Sequence, residues 1–247
     1  MILVVKKSRK SSLAQDIAFS LDFRKHLPIH QPFIIYISSM KKYLAEALWV
    51  LLFVLVIGLS GDPLAIGVCL AILVYATGPI SWGHLNPAVT LSLLVGKKIR
   101  TSEAVNYWVA QLVGALLWAL LYRVLKGNTI AIMPADWVAM RRAGLGEFIF
   151  TFMLAMVVYL TAVSKKAEWN SYRGAAIGLT VFVAAVSVGR MTGWAFNPAV
   201  STGSILIDWI HGGDSGMYLW MYLVATLLGG FVAGHVARGL REHTTTA

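Results

Sequence analysis

Gly83-His84-Leu85-Asn86-Pro87-Ala88-Val89-Thr90 and Gly193-Trp194-Ala195-Phe196-Asn197-Pro198-Ala199-Val200-Ser201 are two copies of one pattern, one in each half of the chain. Asparagine is a favoured helix N-cap and proline a favoured first helical residue, so each Asn-Pro-Ala triplet starts a helix at a defined point. The apolar segments that follow, Asn86 to Gly96 and Asn197 to Ile207, run for only about ten residues, half of what a membrane span needs. Each therefore reads as a re-entrant half-helix. One copy of the triplet would carry little weight; two, at the same place in matching halves, decide the architecture.

Working outward, six longer apolar segments surround the two short ones: Tyr43 to Ser60, Leu64 to Ile80, Ala104 to Tyr122, Gly144 to Val163, Gly174 to Val188 and Met217 to Ala237. Three per half makes the halves run in opposite directions across the bilayer, the inverted-repeat plan. The half-helices then enter from opposite faces and meet at the midplane. The expected fold is an all-α integral membrane protein with six transmembrane helices and two re-entrant half-helices. Repeat one covers about 41–126 and repeat two about 144–238, forming a single domain over 41–238, with tails at 1–40 and 239–247.

Composition agrees, because 58% of the 247 residues are hydrophobic and only 13% are charged. The mean hydropathy is +0.71. A soluble domain cannot hide that much apolar surface, so membrane lipids are expected partners. The net charge of +10 comes from basic residues that punctuate apolar runs, not from a patch interleaved with aromatics, so nucleic acid is not an expected partner. Sixteen Lys and Arg fall on the side of the N-terminus and five on the other, which predicts both termini in the cytoplasm of a multi-pass protein in a plasma or bacterial inner membrane. The basic stretch before Met40 reads as a cytoplasmic tail, or as residues preceding a natural start at Met40. Cys69 is the one cysteine, which excludes an internal disulfide and a Cys-based metal site. No metal-ligand spacing, phosphate loop or nucleophile and base constellation is present, so no cofactor and no enzyme activity are expected.

The triplets also suggest chemistry. With its side-chain carbonyl used in capping, each asparagine can turn its NH2 toward a lumen and donate to a passing oxygen. The positive ends of both half-helices converge at the same depth, which disfavours cations and protons. Neutral molecules pass without a moving part.

At these residues the sequence resembles the aquaporin, or major intrinsic protein, family, from about Lys41 to Arg238. The likeness includes both Asn-Pro-Ala boxes (Asn86, Pro87, Ala88 and Asn197, Pro198, Ala199), Ala110-Gln111 with Gly114-Ala115, and Gly229-Gly230. It implies a passive channel for water and small neutral solutes, assembled as a homotetramer with a pore in each subunit. By the same resemblance Glu46 and Glu147, which open the first and fourth spans, brace the two pore loops. His84, beside the first box, reads as a hydrogen-bonded brace of its loop.

The family's outer filter is where this chain departs. Its usual arginine lies three residues beyond the second asparagine, where this chain has Val200. The other filter positions fall on Ile66, Ala185 and Trp194, so all four side chains are largely apolar. A small residue with an aromatic at the Ala185 and Trp194 positions is similar to glycerol-type members, yet those follow the second box with Arg-Asp, and this chain has Val200-Ser201-Thr202. An apolar constriction penalises ions and strongly hydrated solutes and admits neutral, partly apolar ones. Arg190 is a candidate substitute for the absent filter arginine, and the loop from Arg123 to Ala143 is long enough to fold over a mouth. Two other readings stay open: a poorly conducting structural or adhesive protein of the same fold, and a secondary transporter, which would need a coupling-ion site.

Overall fold

A computed structural model of the chain describes residues 30–164 and 170–243, with side chains over 40–164 and 170–240. The expected N-terminal tail lies almost wholly outside the described residues. The candidate site belongs entirely to one compact unit within residues 42–247.

Among the described residues every regular element is a helix, and six helices are long and apolar enough to cross a membrane: Met40–Ser60, Pro63–Ser81, Thr101–Lys126, Met140–Val163, Arg173–Thr192 and Ser215–Leu240. In chain order the elements are α1 (His30–Ser60), α2 (Pro63–Ser81), α3 (Pro87–Val95), α4 (Thr101–Lys126), α5 (Met140–Val158), α6 (Arg173–Ala184), α7 (Pro198–Ile210) and α8 (Leu219–His243). The fold is the all-α, six-span arrangement with two short helices. Local chemistry sets several boundaries. Asp62 caps α2 by accepting from the Ala65 amide at 2.7 Å, with Pro63 in the first turn. Gly127, at φ 76°, takes the left-handed conformation that ends α4.

The two short helices begin where the asparagines stand. Asn86 and Asn197 are both extended N-caps, and their side-chain oxygens accept from Ala88 N at 2.8 Å and Ala199 N at 2.9 Å. At 1.5 Å per residue α3 is about 13 Å long and α7 about 20 Å, both short of a 30 Å core. Helix α7 extends past the expected Ile207 to Ile210. Two spans carry π-helical turns that the sequence pattern does not announce, at Tyr159–Val163 after α5 and at Ala185–Gly189 after α6.

Packing follows the repeat. Helix α3 lies against α8 of the other half and α7 against α4, while α2 packs on α6. The backbone contacts are close: a Cβ on Gly230 would stand 2.2 Å from the Ala88 carbonyl oxygen, and one on Gly203 2.5 Å from that of Ala115. Without side chains at those points each half-helix can sit directly on a span of the opposite repeat. The outward faces stay apolar and exposed, as at Leu44, Ile72, Val109, Val186 and Phe231, which is the surface a lipid environment requires.

Candidate pore and its bracing

The loops that deliver each asparagine bend in the same way. Trp82, Gly83 and Leu85 in the first, and Gly193, Trp194 and Phe196 in the second, all have positive φ. Four of these six are not glycine, and such a conformation persists only where surrounding contacts fix it. A buried carboxylate supplies those contacts in each half.

Glu46 is wholly buried and accepts four hydrogen bonds: from Ser81 Oγ (2.8 Å), His84 N (2.9 Å), Leu85 N (2.8 Å) and Gln111 Nε2 (2.9 Å). Glu147 is equally buried and accepts from Ala195 N (3.2 Å) and Phe196 N (2.5 Å). Both carboxylates thus hold two successive amides just ahead of the asparagine. A tyrosine supports each arrangement from the last span of its half. Tyr107 Oη donates to the Ser81 carbonyl at 2.6 Å, and Tyr222 Oη donates to the Thr192 carbonyl. His84 lies within this cluster, with Nδ1 3.1 Å from Thr90 Oγ1 and its ring stacked on Tyr107 at 4.0 Å.

With their amides turned to the carboxylates, the loops offer carbonyls to each other. Asn86 Nδ2 donates to Phe196 O and Asn197 Nδ2 to Leu85 O, both at 2.9 Å. The asparagines clasp each other's loops, so one N–H of each side-chain amide is spent on the clasp and one is left over.

Beside the clasp lies a small cavity of ≈ 20 Å³. One water needs about 10–15 Å³ measured in this way, so the cavity has room for about one or two waters. Its wall is mostly apolar, with Phe53, Ile57, Leu70 and Val181 among its contributors. Its polar side chains are His84, Asn86, Asn197 and Trp194, and no Lys, Arg, Asp or Glu lines it. Of the four expected filter positions, Ile66, Ala185 and Trp194 lie on this wall. Val200 does not: it is fully buried in the apolar packing around the first turn of α7. Arg190 is exposed just after the π-helical turn that follows α6 and does not line the cavity, so it does not stand in for a filter arginine on that wall.

The segment between α4 and α5 folds over one end of the bundle. Ala135 N donates to Met191 O at 3.1 Å, and Ile132 and Val138 are buried. Asp208, near the end of α7, ties this segment down by accepting from Thr129 Oγ1 (2.7 Å), Ser215 Oγ (2.6 Å) and Ser215 N (3.3 Å). Burial acts to raise its carboxyl pKa, but these donors outweigh it and hold the group below its ordinary range. At the other end, Lys42 pairs with Glu103 at 2.7 Å beside a second, wider pocket that His84 and Trp82 also line. Among the described residues no group of three or more His, Cys, Asp or Glu is placed to hold a metal ion.

Ser81, Tyr107, Thr192 and Tyr222 are bracing residues that a reading of the sequence does not single out, and Gln111, quoted there only as part of the family likeness, joins them as a partner of Glu46. Their signal is positional. Ser81 stands five residues before Asn86 and Thr192 five before Asn197, while Tyr107 and Tyr222 each stand seven before a glycine, Gly114 and Gly229.

Residues 56–237 match the family described as Major intrinsic protein. Aquaporin TIP2-1 of Arabidopsis thaliana is 35% identical over 242 residues, spanning 85% of this chain and 93% of that protein. Glycerol uptake facilitator protein-like 6 of Lactiplantibacillus plantarum is 32% identical over 214 residues, spanning 81% of this chain and 97% of that one. Among solved structures, the X-ray structure of the aquaglyceroporin from Plasmodium falciparum superposes with a TM-score of 0.74 at 22% identity, covering 85% of this chain and all of that chain. At that identity the likeness concerns the fold.

Proposed function

The chain belongs to the major intrinsic protein family of membrane channels, and on that premise we propose that it conducts water and small uncharged solutes passively through a pore in each subunit. The observation that carries this reading is the reciprocal asparagine clasp beside a cavity without a charged side chain. In the pore, the free N–H of Asn86 and that of Asn197 donate to the permeant oxygen, which orients it. The N-termini of α3 and α7 face the same place and repel cations. Ile66, Ala185 and Trp194 form an apolar outer constriction that lacks the arginine of the family pattern, with Val200 behind it. That constriction compensates little lost hydration, so ions and heavily hydrated solutes are rejected. Glu46 and Glu147 hold the loops from outside the cavity lining, and His84 braces the first loop while also reaching the cavity wall.

The charge bias supports an orientation with both termini in the cytoplasm, and the family resemblance supports a homotetramer. Relatives named as aquaporins and as a glycerol uptake facilitator-like protein support water and glycerol-sized molecules as permeants. Stopped-flow osmotic and solute-swelling assays on proteoliposomes, run in parallel with water, glycerol, urea and ammonia, test this. Flux above that of empty vesicles, linear in the gradient, is the expected result. The small volume of the cavity favours one other reading, a fold that persists with negligible conduction, and vesicles no leakier than protein-free controls would establish it.

A further inference from the structure

The turn between α3 and α4 carries the densest run of cations among the described residues, Lys97, Lys98 and Arg100 within four positions. They line an open cleft with Leu94, Ile99 and Thr101, and no Asp or Glu joins them on its wall. Glu103, the acid of the first turn of α4, is drawn to Lys42 at 2.7 Å and comes only within 3.8 Å of Arg100 Nε. The cleft keeps a net positive charge. Lys98 Nζ lies over the Tyr159 ring at 5.5 Å, whereas Lys97 and Arg100 are exposed. Along α4 from this cleft, Thr101, Val105, Val109, Val113 and Leu117 are all exposed at four-residue spacing, one continuous face down the span. Asn106 stands at the edge of that face, exposed and without a hydrogen bond among the described residues. It lies six residues beyond Arg100, about 9 Å along the helix axis.

We propose that this cleft and face seat one anionic phospholipid, its phosphate held by Lys97 and Arg100, its ester carbonyls accepting from the Asn106 amide, and an acyl chain lying along Val105, Val109 and Val113. The spacing suits a lipid. The layer between phosphate and hydrocarbon is about 5–8 Å thick on each side of a bilayer, and a long arginine side chain reaches outward to span the remainder. An amide on a lipid-facing surface is costly unless an acceptor meets it, and ester carbonyls are the acceptors at that depth. Helix α4 begins at the cleft, and its dipole favours the same sign of ligand. A zwitterionic lipid brings a cation of its own beside the phosphate, which Lys97 and Arg100 repel, so the class selected is phospholipids of net negative charge. A soluble phosphate would meet the same cations but would use neither Asn106 nor the valine face. This site lies on the outer surface and stands whether or not the pore conducts.

The test uses the full chain, delipidated in detergent and recovered as folded protein by size exclusion, with phosphatidylglycerol and phosphatidylcholine titrated in native mass spectrometry. Phosphatidylglycerol is expected to bind wild type the more tightly. Replacing both cations, Lys97→Gln with Arg100→Gln, is expected to weaken phosphatidylglycerol about 25-fold, at about fivefold for each surface cation, and to leave phosphatidylcholine unchanged. Asn106→Leu is expected to weaken both lipids about fivefold, the worth of one hydrogen bond to an ester that both carry. Diffuse attraction to basic residues would leave that variant unaffected. Arg141→Gln with Arg142→Gln removes the same charge from the other end of the bundle and is expected to change nothing. Equal binding of the two lipids by wild type, an unchanged affinity in the Lys97 and Arg100 variant, or an equal loss in the Arg141 and Arg142 variant overturns the site. So does inorganic phosphate at millimolar concentration if it raises the unfolding midpoint as far as phosphatidylglycerol does, which would make the cleft a site for a free anion. A change of oligomeric size in Asn106→Leu with lipid affinity intact would give the face to a second copy of the chain and overturn it as well.

Discussion

Gly67 of α2 and Gly178 of α6 face each other backbone to backbone: a Cβ built on Gly178 would lie 2.3 Å from the Gly67 carbonyl oxygen, and one on Gly67 2.8 Å from that of Gly178. Each stands nineteen residues before the asparagine of its own half, so the contact relates the two repeats to each other. The cavity lies beside this crossing, since Ile66 and Ile177, the residues just before the two glycines, both line it.

Neither backbone can retreat from an added methyl group without parting α2 from α6. Gly178→Ala is therefore expected to destabilise the protein by about 1–3 kcal/mol, the usual range for overpacking. Thermal unfolding in detergent checks it. A midpoint within error of wild type would mean that the crossing is looser than the described contact.

The asparagine clasp separates into two functions by substitution. Asn86→Ala removes both the cap on Ala88 N and the bond to Phe196 O, at a cost of roughly 1 kcal/mol for each. Asn86→Asp keeps an acceptor for the cap, loses the donor, and places a carboxylate beside Phe196 O. Equilibrium unfolding is expected to show about 2 kcal/mol lost in the first variant. In swelling assays the second is expected to lose most of its neutral-solute flux. Equal water flux in wild type and both variants would remove the asparagine from the permeation path.

The half-helices were legible because their starts are encoded locally: Asn86 and Asn197 carry cap and turn in the residues themselves. Their ends were not, and α7 runs three residues past Ile207 because Asp208 is held by Thr129 and Ser215, a tertiary contact. Counting along the chain reached Ile66, Ala185 and Trp194 on the cavity wall but cannot measure reach, and the short side chain of Val200 lies behind that wall. The π-helical turn at Ala185–Gly189 has no local signature either, and its consequence, the seat for Trp194, depends on residues from two separate elements. Gln111 and Ser81 look like ordinary polar residues of apolar spans until Glu46 is placed between them.

Glu147 offers a sharp test of loop bracing because both its oxygens accept from backbone amides. In Glu147→Gln one of those acceptors becomes an NH2 that faces an N–H, leaving buried donors opposed. A loss of roughly 2–3 kcal/mol is expected, with a fall in water flux as Phe196 and Asn197 shift. Unfolding midpoints together with stopped-flow shrinkage measure the two effects. A variant as stable and as permeable as wild type would show that the loop keeps its left-handed bends without the carboxylate.

Acid should act on the segment over the mouth through Asp208, whose carboxyl sits below its ordinary value of 3.8 because donors from Ser215 and Thr129 favour the charged form more than burial opposes it. A group whose folded pKa is depressed contributes stability that is fully present above the unfolded value. That contribution is lost as pH falls through the lower, folded value. It is thus intact at neutral pH and declines only below about pH 4. Asp208→Asn removes the contribution at every pH, and its amide turns a donor toward Ser215 or Thr129. The difference in unfolding midpoint between wild type and Asp208→Asn is therefore expected to be largest at neutral pH and to shrink as pH is lowered toward 3. A difference that stays constant across that interval would show that the carboxylate charge does not fasten the segment between α4 and α5 to the end of α7.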